Sequence, residues 1–473
     1  MLKRNNTYLN YKLFLFFLDI LIIFLSFYLS IVLNKYNFVE NYGYLIAIFL
    51  ISFVLFIYFD NYKYKSIKLI RSYILSNILI NIIIFGFIAV VIFITPLGDK
   101  IKFINIFKFY FLFYFAGIIF IRILLFEIIF INLNKIRSFN RNTVILGVSK
   151  DSENLYENKE DIKLNNGLNI IGFIKIKKIF ANFKYKSSVL GGFSDILELS
   201  KKHSFKDVFI LNNDMETDEL INMIEFLRSN NFMVRVNEKN LSSLINANLY
   251  DIYGTNYKFV DFSTNRIYYK KTLKPFFDYL FGIIFLILVS PLLLIIAILI
   301  KSTSEGPAFF VGARTGFNEK VFKILKFRSM RNEPDNNIEA HKENIKSFYL
   351  GRERGDIKKQ NINDKVTKTG RFLRKHSLDE IPQFINIFTR DMSIIGPRPC
   401  MDYELEYFKG WKKNRFKIKP GITGLWQAYG RSKVDFESLS ILDYFYYTNC
   451  SFTLDLRIAF DTIKVIIMGI GGY

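Results

Sequence analysis

The sequence predicts a multi-domain membrane protein: an N-terminal four-helix transmembrane bundle, a Rossmann-like α/β middle domain, and an α+β C-terminal domain with a re-entrant membrane helix. Three observations predict it. Four apolar runs fill the first quarter of the chain. Strand-like and helix-like patterns then alternate over about residues 140–262, as a parallel α/β layer requires. A fifth apolar run, 276–300, is interrupted by Ser290-Pro291. The boundaries that follow are 1–137, 138–262 and 263–473.

Composition sets the frame. The chain has 473 residues, is 51% hydrophobic and has positive mean hydropathy, which allows several domains and requires a membrane. Its net charge of +22 fits cytoplasmic faces against anionic lipid first and anionic substrates second. Nucleic acid ranks last, since no recognised binding motif occurs, and no nucleic-acid partner is expected. Cys400 and Cys450 make neither a disulfide framework nor a metal spacing. His203, His341 and His376 are scattered, which argues against a zinc site.

The four apolar runs cover about residues 13–33, 44–59, 73–95 and 104–133, the second being short. Lys3, Arg4 and Lys12 precede the first; Lys63, Lys65, Lys68 and Arg71 crowd the second loop; Lys135, Arg137 and Arg141 follow the fourth. By the positive-inside rule both ends of this bundle face the cytoplasm. Few ionisable groups lie within the runs, so an anchor is expected and a transport path is not. The first run lacks a small-residue cleavage site and reads as a retained span.

In the middle region, 143–148, 169–175, 207–211 and 232–236 read as short buried strands, and 194–203 and 217–230 as amphipathic helices. The glycine fingerprint of a dinucleotide fold is absent: after Gly147, the positions where a pyrophosphate needs close approach hold Ser149 and Ser152. A regulatory or assembly role is favoured over nucleotide binding. In the fifth run, Lys270, Lys271 and Lys274 stand before it and Lys301, Arg314, Lys320 and Lys323 after it. Two basic flanks argue against a simple crossing, and a break at Ser290-Pro291 would let two half-helices enter and leave one leaflet; a kinked ordinary span is the alternative.

Chemistry concentrates in 367–383 (TKTGRFLRKHSLDEIPQ). Asp379 and Glu380 sit side by side, with Arg371, Arg374, Lys375 and His376 ahead and Pro382 opening an apolar helical run behind. The acidic pair is thus expected at or just before a helix N-terminus, which would keep a carboxylate ionised. Ser377-Leu378-Asp379-Glu380 also fits a capping box, and with Asp379 as cap instead Pro382 costs no hydrogen bond; the sequence leaves both open. Upstream, Lys326 and Arg328 alternate in an extended segment and could hold a diphosphate, although a basic strand edge is often merely solvated. The polar stretch 332–364 reads as an insertion. Downstream, Arg398 is stiffened between Pro397 and Pro399, and Arg431 follows in Gly430-Arg431-Ser432. The end, 454–470, suits a helix on the membrane interface or one packed on the domain's own core.

Taken together, the Ser290-Pro291 break, GPAFF (306–310), KFRSM (326–330), GRFLRKHSLDEIPQ (370–383), MSIIGPRP (392–399), PGITGLWQ (420–427) and GRS (430–432) resemble the bacterial sugar transferases, the monotopic phosphoglycosyl transferases. The resemblance is strong from about 271 to 473 and reaches the front half through the layout of the larger members, the undecaprenyl-phosphate galactose or glucose phosphotransferases. It implies transfer of a sugar 1-phosphate from a UDP-sugar to undecaprenyl phosphate with release of UMP, early in capsule, exopolysaccharide, O-antigen or glycoconjugate synthesis. Asp379 would be the nucleophile, Glu380 the residue holding Mg²⁺, and Lys326, Arg328, Arg374, Arg398 and Arg431 candidates for phosphate or nucleotide contacts, with Arg371 beside them. It also implies the bacterial inner membrane, with the catalytic domain on the cytoplasmic side among membrane lipids; a homodimer is left open. Two positions depart from the pattern, Pro275 and Ala313, and neither touches the acidic pair. The alternative is a catalytically silent membrane scaffold or sensor of a polysaccharide assembly complex, which the intact acidic pair argues against.

Overall fold

A computed structural model of the chain describes residues 6–37, 100–118, 141–176, 183–211, 215–237, 249–251, 258–262, 268–330, 366–429 and 435–467, with isolated positions between them. Near the N-terminus α1 (Asn6–Leu33) packs against α2 (Lys100–Gly117). Ile22, Phe27 and Ile31 meet Ile106, Phe107, Tyr110 and Tyr114 in a closed apolar core, and Ser30 donates its hydroxyl to the Ile106 carbonyl. The second and third apolar runs lie largely outside the described residues. Among those described, one helix, Tyr269–Thr303, is long and apolar enough to cross a membrane by length and composition; the apolar stretches Phe17–Leu33 and Ile104–Gly117 are shorter. Of the expected four-helix bundle, the described residues show the pair α1 and α2.

The middle region forms one seven-stranded sheet. Its strands are β1 (Arg141–Leu146), β2 (Leu168–Lys175), β3 (Val189–Gly192), β4 (Asp207–Ile210), β5 (Met233–Asn237), β6 (Leu249–Asp251) and β7 (Lys258–Asp261), in spatial order β3-β2-β1-β4-β5-β7-β6. β1 to β5 are parallel, and β7 runs antiparallel to β5 and β6. The central strands read as continuous apolar runs because both their faces are buried, Val144, Ile145 and Leu146 completely. Helices α3 (Lys150–Glu157), α4 (Lys159–Asn166), α5 (Ile196–His203) and α6 (Thr217–Ser229) complete the layer. Gly147 keeps the left-handed turn after β1 (φ 104°). The two serines beyond it close a capping box: Ser149 Oγ accepts from the Ser152 N–H at 3.3 Å, and Ser152 Oγ accepts from the Ser149 N–H at 2.8 Å. Hydroxyls of the chain thus occupy the donors that a pyrophosphate takes in a dinucleotide fold.

The C-terminal region is α+β. After a π-helical turn comes α7 (Lys274–Thr303), then the hairpin β8 (Phe309–Thr315) and β9 (Val321–Phe327). α8 (Lys368–Lys375), a 3₁₀ turn (Leu378–Gln383) and α9 (Phe384–Phe388) follow. β10 (Ser393–Ile395) pairs in parallel with β11 (Gly421–Thr423), and α10 (Leu425–Tyr429), α11 (Phe436–Asn449) and α12 (Phe452–Ile467) close the unit.

α7 runs on through Ser290 and Pro291, so the expected break into two half-helices does not interrupt it. Both its ends are nonetheless fastened to one body. At the start, Lys274 Nζ lies 2.9 Å from Asp455, Asp278 accepts from the Ser393 hydroxyl (2.7 Å) and the Ile394 N–H (3.1 Å), and Phe285 stacks on Phe384. At the end, Ile296 and Ile300 are buried with Ala308, Phe327 and Leu373. Between these anchors Leu288 and Leu294 are 73% and 65% exposed, an apolar face open to lipid.

α12 packs inward: Leu454 and Ile458 are buried, and the Thr462 hydroxyl sits 2.9 Å from that of Thr423. Of the two readings for this helix, the structure takes packing on the domain core. The middle sheet joins the same unit through α6, where Asp218 accepts from the Trp411 indole N–H (2.7 Å) and Glu225 from the Asn414 amide (2.6 Å).

Candidate active site

The acidic pair stands in the 3₁₀ turn 378–383, which packs on β9. Asn386 on α9 fixes that packing, accepting from the Leu325 N–H (3.0 Å) and donating to the Lys323 carbonyl (2.7 Å). Lys326 thereby meets the pair, its ammonium 2.6 Å from Glu380 Oε1. Both side chains of this ion pair are mostly covered, at 17% and 25% exposure, so its attraction is less screened than at a free surface. From α8, Arg374 lies near Asp379 and donates its Nε–H to the Ser329 hydroxyl at 2.9 Å. α8 is drawn in by Gly370, where any Cβ would overlap the Ser329 carbonyl.

Arg398 approaches from the far side on a braced loop. A Cβ at Gly396, Gly421 or Gly424 would run into backbone of the facing segment, so MSIIGPRP and PGITG interlock main chain to main chain. Beneath the loop Arg415 donates to the Arg398 carbonyl (2.5 Å) and pairs with buried Asp443 at 3.3 Å. The exposed Arg398 side chain is close enough to Glu380 and Arg314 for its charge to act on both.

The two carboxylates are pushed in opposite directions. Burial and the adjacent Glu380 charge raise Asp379 above its usual value, with Lys326 and Arg374 opposing. Burial works the same way on Glu380, but Lys326 and Arg398 outweigh it and hold that group below its usual value. This differs from the ionisation expected of a helix start, and the geometry explains why. Ser377 sits in the left-handed region (φ 56°), its side chain makes no capping bond, and neither cap assignment forms. Burial and the neighbouring carboxylate prevail at Asp379, and the cations prevail at Glu380.

Of the residues anticipated, Asp379, Glu380, Lys326, Arg374 and Arg398 are brought together. Arg371 is exposed on α8. Arg328 is buried, and its guanidinium donates to the Glu305 carbonyl, the Ser304 carbonyl (2.8 Å) and the Ser304 hydroxyl (2.7 Å). It therefore caps the end of α7 and does not stand beside Lys326. Arg431 lies outside the described residues. Sequence reasoning missed Asn386, the Arg415–Asp443 pair and the site-side position of Arg314, all single polar residues inside otherwise ordinary patterns. No group of three or more His, Cys, Asp or Glu that could hold a metal occurs among the described residues.

Cations thus gather round two carboxylates, on a body carrying a helix long and apolar enough to enter a bilayer. Residues 269–469 match the family model described as bacterial sugar transferase. The exopolysaccharide production protein ExoY of Sinorhizobium fredii is 38% identical over 201 residues, 42% of this chain and 88% of that one. The undecaprenyl-phosphate galactose phosphotransferase of Salmonella typhimurium is 38% identical over 203 residues, 42% of each chain. An uncharacterized sugar transferase of Haemophilus influenzae is 29% identical over 349 residues, 71% of each, so that likeness continues into the front half. The chain belongs to the bacterial sugar transferase family.

Proposed function

We propose that the protein transfers a sugar 1-phosphate from a UDP-sugar to undecaprenyl phosphate, releasing UMP, at the cytoplasmic face of the bacterial inner membrane. The observation that carries this reading is the meeting of Asp379 and Glu380 with Lys326, Arg374 and Arg398 on the body to which both ends of α7 are tied. Relatives named for undecaprenyl-phosphate sugar phosphotransfer support the substrates. In the first step an Asp379 carboxylate oxygen attacks the β-phosphorus of the donor. The bond from that phosphorus to the bridging oxygen breaks, and UMP leaves with the oxygen. In the second, a phosphate oxygen of the lipid attacks the same phosphorus and expels the Asp379 carboxylate, which is regenerated. Arg374, Lys326 and Arg398 offset charge on the phosphoryl oxygens, where fixed donors act most strongly.

Glu380 fits a magnesium ion of the kind that binds one or two carboxylates and takes its other ligands from phosphate and water. Its depressed protonation keeps it available, and Oε1 is shared with Lys326. When bound, Mg²⁺ would neutralise diphosphate charge. α7, bent at Pro291 without losing its helix, would lie in one leaflet as a re-entrant element, both anchors on the cytoplasmic side, with α1 and α2 belonging to a multi-pass anchor.

The test is UMP release by the lipid-embedded protein over a panel of UDP-sugars with undecaprenyl phosphate. We expect release with one or a few donors and none from Asp379→Asn. Because Asp379 must be ionised to attack and its pKa is raised, the acid limb of the rate should lie above the ordinary carboxylate range. No release across a broad panel sinks the reading.

A further inference from the structure

We infer that Phe310, Gly312 and Arg314, on the site-facing side of β8, form the slot that receives the nucleotide of the donor, with the base against the Phe310 ring and its phosphate toward Arg314. The inference rests on the donor proposed above. In an antiparallel pair, residues directly opposite share a face, and Phe310 is opposite Lys326, the residue that touches Glu380. Gly312 and Arg314 continue that face, toward Arg398. Phe310 is 47% exposed although it borders the acidic site.

Gly312 is what allows the arrangement. A Cβ there would stand 2.8 Å from the Phe310 ring edge and 3.4 Å from an Arg314 guanidinium nitrogen. The ring and the guanidinium therefore lean over one bare backbone position, a floor with an aromatic wall on one side and a cationic wall on the other. Arg314 has both Arg398, a like charge, and Glu404, an opposite one, within reach, and one of its guanidinium nitrogens donates to the Ala313 carbonyl at 2.7 Å; its other N–H groups could serve an anion between the two arginines. A flat π-face flanked by cations suits a nucleobase followed by phosphates, since base–aromatic stacking tolerates any base and the guanidinium supplies paired donors. A polyprenyl tail would want apolar neighbours. Ile324 and Phe322 share the slot's face, but among the charges of Lys326 and Arg314; an apolar cluster lies on the other face of the hairpin, where Phe309 stacks on Phe327 beside Val311.

The experiment uses the full-length protein in nanodiscs and titrates UMP and inorganic pyrophosphate directly, without turnover, against Phe310→Leu, Gly312→Ala and Arg314→Lys. Phe310→Leu should weaken UMP roughly tenfold, within the range of a lost stacking contact, and leave pyrophosphate unchanged. Gly312→Ala, which displaces the ring, should reproduce that pattern, while Arg314→Lys should weaken both ligands. UMP affinity within twofold of the parent in Phe310→Leu and Gly312→Ala overturns the slot. So does a Phe310→Leu variant whose defect lies in the KM for undecaprenyl phosphate alone, which would assign the ring to the lipid. Failure of the unsubstituted protein to bind UMP would instead overturn the donor reading on which the slot rests.

Discussion

Replacing Lys326 by Met keeps most of the side-chain volume and removes one charge from the acidic site. In the folded protein that ammonium donates to Glu380 at 2.6 Å, with both partners about four-fifths covered. A hydrogen bond between charged groups contributes about 1.5–3 kcal/mol, and breaking a fully buried pair costs about 3–5 kcal/mol. With a quarter of Glu380 in water, the lower range applies, about 2 kcal/mol. The pH dependence follows from the lowered Glu380 pKa. A carboxylate depressed in the folded state stabilises fully above its unfolded value of about 4.3, and that contribution is lost as pH falls through the folded value. The gap in stability between parent and Lys326→Met should be widest near pH 7 and close toward pH 3. Lys326→Met with Glu380→Gln should recover part of the loss at pH 7, because no unpaired charge then remains. Thermal unfolding of the detergent-solubilised protein over pH 3–7 measures the first effect. The rate of UMP release measures the second, with a loss of about a hundredfold expected for a donor that acts on developing charge. A gap that is flat with pH, or turnover within threefold of the parent, would refute the assignment of Lys326 as the charge partner of this site.

Gly421→Ala should prevent the interlock with Gly396, since the new methyl falls on backbone that cannot swing aside; a loss of several kcal/mol, about 3 or more, is expected by chemical denaturation, and a drop under 1 kcal/mol would show that the two loops are looser than described. Both cysteines are buried, so single cysteines at the exposed positions Tyr268 and Ser302 can be labelled against a low background. Both should react from the cytoplasmic side of sealed vesicles; opposite-sided labelling would make α7 a crossing span and end the re-entrant reading.

Much of the sheet could be read in advance because buried parallel strands are short unbroken apolar runs, as at 207–210 and 233–237. β3 escaped because Val189-Leu190-Gly191-Gly192 is half glycine and only partly buried. The acidic pair was legible as a cluster of charge, yet its setting was not. A left-handed Ser377 and a 3₁₀ turn depend on how 378–383 packs against β9, which no local preference encodes. Alternation on an extended strand suggested that Lys326 and Arg328 act together. β9 ends at Phe327, and one residue later Arg328 turns in to cap α7. Pro291 suggested a full break, but a proline forfeits only one hydrogen bond and the helix carries on past it.

The way α7 is fastened also bears on how the enzyme meets its lipid. A helix pinned at Asp278 and again at Ile300 to one body is tied to that body at both ends. On the re-entrant placement proposed above, Asp379 would be carried at a constant depth relative to the surrounding acyl chains. A lipid acceptor diffusing in that leaflet would then have only to find the right spot in a plane, without being lifted out to react.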